Sequence, residues 1–270
     1  MQELLRTKIK AGLTRPVRLL HITDVHLTAA APGQDSEELC ALLARRKESF
    51  RRAGGYLPQS AEELFEEALD LAEELCALPV ITGDAFDLHS RGNLDLFRRL
   101  IQNRDVMYTP GGHEYQTAIR RTMEEEGDYA ARMTKKLASE LSMFDLDLDS
   151  RVIGGLNVVT ANSGLDYFNR ATAERFEKEL SRGLPTVVFT HDPPSDQRMG
   201  ITEPYHPAVK LTKEDYAVSN KMLSELISND LVIATFSGHW HRTSEEQISG
   251  KTHFVTDGLF RGVCRLIEVE

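Results

Sequence analysis

The chain has 270 residues, 41% of them hydrophobic and 27% charged, with 42 acidic against 32 basic side chains and a formal net charge of −10. That hydrophobic content excludes intrinsic disorder, and no apolar stretch approaches the ~18–20 residues a membrane helix needs. An acidic chain is also a poor general binder of nucleic acid, because affinity for the phosphate backbone comes largely from Lys and Arg.

Residues 1–14 read as a loose or helical N-terminal extension with no secretory-leader pattern. Val17, Leu19, Leu20 and Ile22 then make a near-continuous apolar run, the signature of a strand buried on both faces. A helix is predicted over 36–53, with Ser36 as N-cap and Gly54-Gly55 as the stop. Ser60 and Glu63 form a capping box. The helix after it places Leu64, Phe65, Ala68, Leu69, Ala72 and Leu75 on one face. The strand from Pro79 ends in Gly83-Asp84. A helix over Asn93–Gln102 leads to a strand over Asp105–Thr109, which ends in Pro110-Gly111-Gly112-His113. A long charged helix is predicted over 115–142. Arg151–Ile153 and Leu156–Ala161 read as a hairpin through Gly154-Gly155. A helix over 171–182 stops at Gly183, and the strand Thr186–Thr190 ends in His191. A helix over 213–228 precedes Leu231–Phe236, a strand ending in Ser237-Gly238-His239-Trp240-His241. The segments Glu246–Ser249, Thr252–Thr256 and Val263–Val269 read as antiparallel strands.

Strands and helices alternate first and strands dominate the end, so an α/β fold is predicted: a mixed sheet, or two packed sheets with outer helices. No linker divides the chain, and residues 1–270 read as a single domain. Segments 28–60 and 115–150 separate the motif blocks and are placed as insertions near the site. Cys40, Cys76 and Cys264 form no C-x-x-C pair and read as buried reduced thiols of a cytoplasmic protein.

Ligands in open α/β sheets bind outside the carboxyl ends of strands. Five predicted strands end there in polar clusters: Asp24/His26, Asp84, His113, His191 and His239/His241. Singly, each is also explained as a capping or turn residue. Together they hold five of the nine histidines. His21, His89, His206 and His253 have no comparable setting and read as core or surface residues. Mixed imidazole and carboxylate donors suit transition metals better than Ca. His239 and His241 alternate in direction if extended, so they can serve two ions. Two ions ~3.5–4 Å apart can clamp the attacking and leaving oxygens of a phosphate.

The blocks Asp24-Val25-His26, Gly83-Asp84, Gly111-Gly112-His113-Glu114, His191 and Gly238-His239-Trp240-His241 resemble, in order and spacing, the calcineurin-like metallophosphoesterases. The resemblance runs from position 24 to position 241. It implies a sandwich of two packed mixed β-sheets flanked by helices, and a centre of two divalent or trivalent transition-metal ions (Mn, Fe or Zn). It implies that Asp24, His26 and His241 hold the first ion, that Asp84 bridges, and that His191 and His239 hold the second. His113 would act beside the leaving group as general acid or phosphate-binding residue. Glu114 would orient a histidine from behind. Asp87 and Asp192 are further supporting candidates, with solvated loop carboxylates as the equal alternative.

One position departs from the family pattern. Gly112 stands where relatives carry an Asn that ligates the second ion. Three readings follow: a weaker but active second site, a substitute ligand with Asn162 as candidate, or a mononuclear or non-catalytic protein. The activity implied is hydrolysis of a phosphate mono- or diester by a metal-bound hydroxide, on a small phosphorylated substrate, nucleotides included. The alternatives are a protein-binding scaffold and a nuclease. A nuclease would need a basic groove from Arg45, Arg46, Lys47, Arg51 and Arg52, a run that reads better as a solvated helix face. Tyr115, Tyr129, Tyr167 and Phe168 could stack on a base, but read better as core.

Overall fold

The apolar run after Pro16 becomes the middle strand of a five-stranded sheet, with every residue but Arg18 buried. The structure is a computed structural model that describes residues 2–117, 129–195 and 211–270. Among these, eleven strands form two sheets. The first contains β1 (Glu3–Ile9), β2 (Val17–Ile22), β3 (Leu78–Thr82), β4 (Met107–Thr109) and β11 (Val263–Val269), ordered β1-β11-β2-β3-β4. The second contains β5 (Leu148–Ile153), β6 (Leu156–Ala161), β7 (Thr186–Phe189), β8 (Val232–Ser237), β9 (Ser244–Ile248) and β10 (Lys251–Val255), ordered β5-β6-β7-β8-β10-β9. β2, β3 and β4 run parallel, as do β6, β7, β8 and β10. Both sheets are completed by antiparallel pairings.

Six helices flank the sheets among the described residues: α1 (Glu37–Ala53), α2 (Ala61–Glu74), α3 (Arg91–Ile101), α4 (Tyr129–Glu140), α5 (Arg170–Leu180) and α6 (Lys213–Ser228). Alternation along the strands builds three apolar layers. Val17, Leu19, Val80 and Met107 of the first sheet meet Val158, Val187, Phe189 and Phe236 of the second. On the outer face of the first sheet, Leu20, Ile22 and Ile81 pack under the predicted stripe of α2 and under α3 and α4. On the outer face of the second, Val159, Val188 and Val232 pack under α5 and α6. Each fully buried aliphatic or aromatic side chain contributes about 1.5–3 kcal/mol. The layers therefore form a rigid base for the loops at the strand ends.

Ser36 caps α1 by accepting the Leu39 N–H, Gly54 ends it, and the Ser60/Glu63 box caps α2 as predicted. Tyr115, Tyr129 and Phe168 are buried in the apolar clusters, as core aromatics.

Three expectations need correction. Residues 3–9 are a strand, β1, paired parallel with β11 from Glu3↔Val263 to Ile9↔Val269. Its partner lies at the opposite end of the chain, so no local pattern announced it. The C-terminal strands are not uniformly antiparallel: β10 joins β8 in parallel, and β11 lies between an antiparallel and a parallel neighbour. The helix expected over 115–142 is confined, among the described residues, to a 3-10 turn at His113–Tyr115 and α4. Positions 118–128 and His206 lie outside the described residues.

His21 illustrates a buried polar group that supports the sandwich. Its Nδ1 is 2.9 Å from Thr256 Oγ1 and its Nε2 is 2.7 Å from Thr82 Oγ1. Phe189 and Phe236 flank the ring edge-on. Burial, reinforced by the nearby Arg265 charge, pushes its pKa down from 6.5 to about 3. The unfolded chain takes a proton that the folded chain refuses. Stability therefore falls as pH drops from 6.5 towards 3, at up to about 1.4 kcal/mol per pH unit. In His21→Gln this slope is expected to flatten by about one proton in urea titrations over that range; parallel profiles would contradict the assignment.

Candidate metal centre

The loops leaving β2, β3, β4, β7 and β8 converge on one patch beyond the strand ends. Their backbones are unusual. Asp24, His26, Asp84, His239 and His241 all have left-handed φ, between 47° and 69°. They are five of the ten non-glycine residues with positive φ among the described residues. This conformation costs a non-glycine residue about 1–2 kcal/mol, and such strain clusters at functional sites. The turns are also tightly apposed. A Cβ on Gly238 would fall onto the Thr23 hydroxyl and the Asp24 carboxylate, so only glycine lets the His239 loop lie against Asp24.

Each carboxylate has one oxygen tied down and one facing the centre. Asp24 Oδ2 accepts from the Thr23 hydroxyl (2.7 Å) and the His239 N–H (2.9 Å). Its Oδ1 is 3.1 Å from His241 Nε2 and 3.9 Å from His26 Nε2. Asp84 Oδ1 accepts the His113 N–H at 3.0 Å, and Asp84 Oδ2 lies 3.8 Å from His26 Nε2 and 3.5 Å from His191 Nε2. His26 Nε2 and His241 Nε2 are 3.1 Å apart, as are His191 Nε2 and His239 Nδ1. The His191 Nδ1–H donates to the Thr82 carbonyl at 2.9 Å, which leaves Nε2 as the lone-pair side.

Two groups of these donors approach each other at Asp84, whose Oδ2 lies 3.5 Å from His191 Nε2. Asp24, His26, Asp84 and His241 place one donor atom each within 4.8 Å of one another, and so do His191, Asp192 and His239. Bonds of about 2.0–2.2 Å to a transition metal give donor–donor edges of roughly 3.0–3.6 Å. Four of the separations, 3.1–3.5 Å, match such edges, and the two from His26 Nε2 to Asp84 and Asp24, 3.8 and 3.9 Å, are slightly longer. A cation between two imidazole nitrogens also satisfies both lone pairs. The residues therefore fit two transition-metal ions.

His113 stands beside Asp84, with Nε2 3.8 Å from Asp84 Oδ2, outside these two groups and in a third with His26 and Asp87. Its Nδ1 is held at 2.8 Å from both the carbonyl and Oδ1 of Asp87. Burial opposes charging of the ring, but the Asp84 charge and the Asp87 hydrogen bond outweigh it and raise the pKa to about 9. Its two carboxylate neighbours thus favour the protonated ring, with Nε2 on the Asp84 side. Asp87 is buried and is not a solvated loop carboxylate. Arg46 of α1 grips it through Nε at 2.6 Å and Nη2 at 2.8 Å, and His26 Nδ1 is 3.5 Å away. Burial works against the Asp87 charge, but these partners hold its pKa well below the carboxylate range.

Glu114 differs from its predicted role. Its carboxylate orients no histidine. It accepts the N–H groups of Asp84 (3.0 Å), Ala85 (2.6 Å) and Gly111 (2.9 Å), clamping the loops after β3 and β4 together. Burial, with the Asp84 charge, pushes its pKa up to about 7 despite those donors. Glu114→Ala strands three buried donors at about 1–3 kcal/mol each. A loss of several kcal/mol is expected by chemical denaturation, with loosened metal binding; wild-type stability would contradict the clamp.

Of the remaining predicted residues, Gly112 brings no side chain, and a Cβ there would meet only the Gly164 carbonyl, at 3.4 Å. Asn162 is engaged away from the centre. Its amide N–H donates to the Tyr115 hydroxyl at 2.8 Å and its Oδ1 accepts the Gly164 N–H at 3.0 Å, which is the work of a turn residue. Sequence reasoning missed Arg46, which had been placed on a solvated helix face. It also missed Phe50 and Phe260, which pack against the His26 ring at centroid distances of 4.0 and 5.6 Å. The one signal was the i, i+4 spacing of Arg46 and Phe50, which puts both on one face of α1.

Two packed mixed sheets with a carboxylate–imidazole centre at their strand ends define the class of the protein. The calcineurin-like phosphoesterase family model matches residues 17–243, and the chain belongs to that family. No curated protein matches it in sequence. Among solved structures, a putative 5'-nucleotidase from Staphylococcus aureus is 13% identical, with a TM-score of 0.47 over 91% of this chain and 49% of that one. The chain thus spans about half the length of that protein. The phosphopantetheinyl hydrolase of Mycobacterium tuberculosis is 14% identical, with a TM-score of 0.44 over 94% of this chain and 91% of that one. GAP50, the anchor in the inner membrane complex of Plasmodium, is 10% identical, with a TM-score of 0.44 over 89% and 71%. No described helix is long and apolar enough to cross a membrane.

Proposed function

We propose that the chain hydrolyses phosphate mono- or diesters at a centre of two transition-metal ions. Asp24, His26 and His241 would hold one ion, His191 and His239 would hold the other, and Asp84 would lie between them. The observation that carries this reading is the position of Asp84 Oδ2, within 3.8 Å of His26, His191 and His113 nitrogens at once. Bound ions supply Lewis acidity, which neutralises phosphate charge and acidifies an attacking water. The protein supplies the rest. Asp84 Oδ1, pinned by the His113 N–H, fixes the bridging carboxylate relative to the acid. Asp87 holds His113 in its cationic form with Nε2 facing the site, from which the proton passes to the leaving oxygen. Arg46 keeps the Asp87 charge stable behind it.

A small phosphorylated substrate, nucleotides included, is supported by a cavity of about 260 Å³ beside the centre. His26, Thr28, Phe260 and the α1 residues Lys47, Phe50 and Arg51 line it, so the 28–60 segment supplies one wall. Glu62 and Glu63 line it as well, so the wall carries both signs of charge. A cytoplasmic location is supported by the three free cysteines, of which only Cys264 is buried as expected, Cys40 being half-buried and Cys76 exposed.

The test is turnover of p-nitrophenyl phosphate and of bis(p-nitrophenyl) phosphate by Mn-loaded protein in isotopically labelled water. Release of p-nitrophenol with one labelled oxygen per phosphate is expected. Metal-loaded protein inert towards both esters would overturn the reading and favour a partner-binding role.

A further inference from the structure

The first group contributes four protein donors, one each from Asp24, His26, Asp84 and His241. On the reading above, the second ion would have only Asp84, His191 and His239, because Gly112 offers no side chain. A fourth donor is nevertheless in place. We propose that Asp192 is a protein ligand of the second ion, filling the role that a side chain at position 112 would otherwise take.

Three observations carry this. Asp192 is buried, at 2% exposure, and stands in the donor group with His191 and His239. Its Oδ1 is 3.7 Å from His239 Nδ1, the same atom that faces His191 Nε2 at 3.1 Å, so one ion can touch all three. Its backbone is fixed on both sides: the N–H donates to Ser163 Oγ at 2.9 Å and the carbonyl accepts from the Thr190 hydroxyl at 2.8 Å.

The local sequence explains why two consecutive residues can face one point. In a strand, His191 and Asp192 would point to opposite faces. β7 ends at Phe189, and the chain reaches Pro193-Pro194 two residues after His191. Pro193 has no N–H to extend a ladder, so strict alternation does not carry past the strand. The chemical consequence is an anionic oxygen where a carboxamide would be neutral. That raises affinity for hard ions such as Mn or ferric Fe relative to softer ones.

The inference rests on the dinuclear reading, and metal content separates the two. Wild-type protein is dialysed against dilute Mn, its metal is counted by elemental mass spectrometry, and the spin-coupled signal of a Mn pair is recorded by electron paramagnetic resonance. Two ions and a coupled signal are expected. Asp192→Ala is expected to keep one ion and lose the coupling. Asp192→Asn, nearly isosteric and folding in the same core, is expected to bind the second ion at least about tenfold more weakly. Adding Gly112→Asn to Asp192→Ala is expected to restore the second ion, since φ at 112 is −67° and the space is open. Two ions at wild-type affinity in both Asp192 variants would overturn the ligand role and leave the hydrolase reading standing. A second site that is lost together with thermal stability, and that a donor at 112 does not restore, would show Asp192 to be only a prop for the loop, and would also overturn it. Wild-type protein that binds no ion would instead overturn the dinuclear reading.

Discussion

Asp84→Asn is expected to lower turnover by on the order of 10⁴-fold or more, the scale found when one member of a jointly acting set is removed. The substitution is nearly isosteric, and an amide oxygen can still accept the His113 N–H that Asp84 Oδ1 now receives at 3.0 Å. What it removes is the charge on the oxygen between His26 at 3.8 Å and His191 at 3.5 Å. Burial disfavours that charge, but the surrounding His191, His113 and His26 rings hold the Asp84 pKa down, to about 2. Without the charge, two cations at the centre repel each other across a neutral bridge. Metal content should fall to one ion or fewer while the far-ultraviolet circular dichroism stays unchanged. Retention of two ions and of turnover would show that the groups do not share Asp84.

His113→Ala should show a different pattern: a drop in turnover of about 10²–10⁴-fold with both ions still bound. His113 lies outside both donor groups proposed to hold ions, so its loss removes a proton donor and no ligand. The drop should therefore depend on the leaving group. Esters of alkyl alcohols, which leave only when protonated, should lose the full factor. Esters of p-nitrophenol, which leave as stable anions, should lose far less. An equal loss on both esters would assign His113 to phosphate binding, and an intact turnover on both would remove it from the mechanism.

The donor residues that the fold brings together were legible in the sequence because each sits in a short local pattern at the end of an apolar run: Asp24-Val25-His26 after Ile22, Asp84 after Ile81, His239 and His241 after Phe236. Such patterns need no knowledge of distant partners. The strand ends also fixed the layered fold, since β2, β3, β7 and β8 carry continuous apolar runs bounded by polar turns. What escaped the sequence depends on contacts across the chain. β1 looks like a loose segment until β11 lies beside it 260 positions later. Arg46 looks solvated until the 28–60 segment folds α1 against the centre and brings it to Asp87, 41 positions away. Glu114 was placed near the site, but its three backbone partners lie in two loops whose apposition is a tertiary fact. Asp192 sits next to a predicted donor and reads equally as a supporting residue or a solvated loop carboxylate. Its burial beside His239 is a tertiary fact as well.

The most direct measurement is the number of transition-metal ions per chain in purified, dialysed wild-type protein, by elemental mass spectrometry before and after reconstitution with Mn, Fe or Zn. Two donor groups, with Asp84 of the first 3.5 Å from His191 of the second, predict close to two ions per chain. A count of one or fewer after reconstitution with each metal would contradict a shared dinuclear centre.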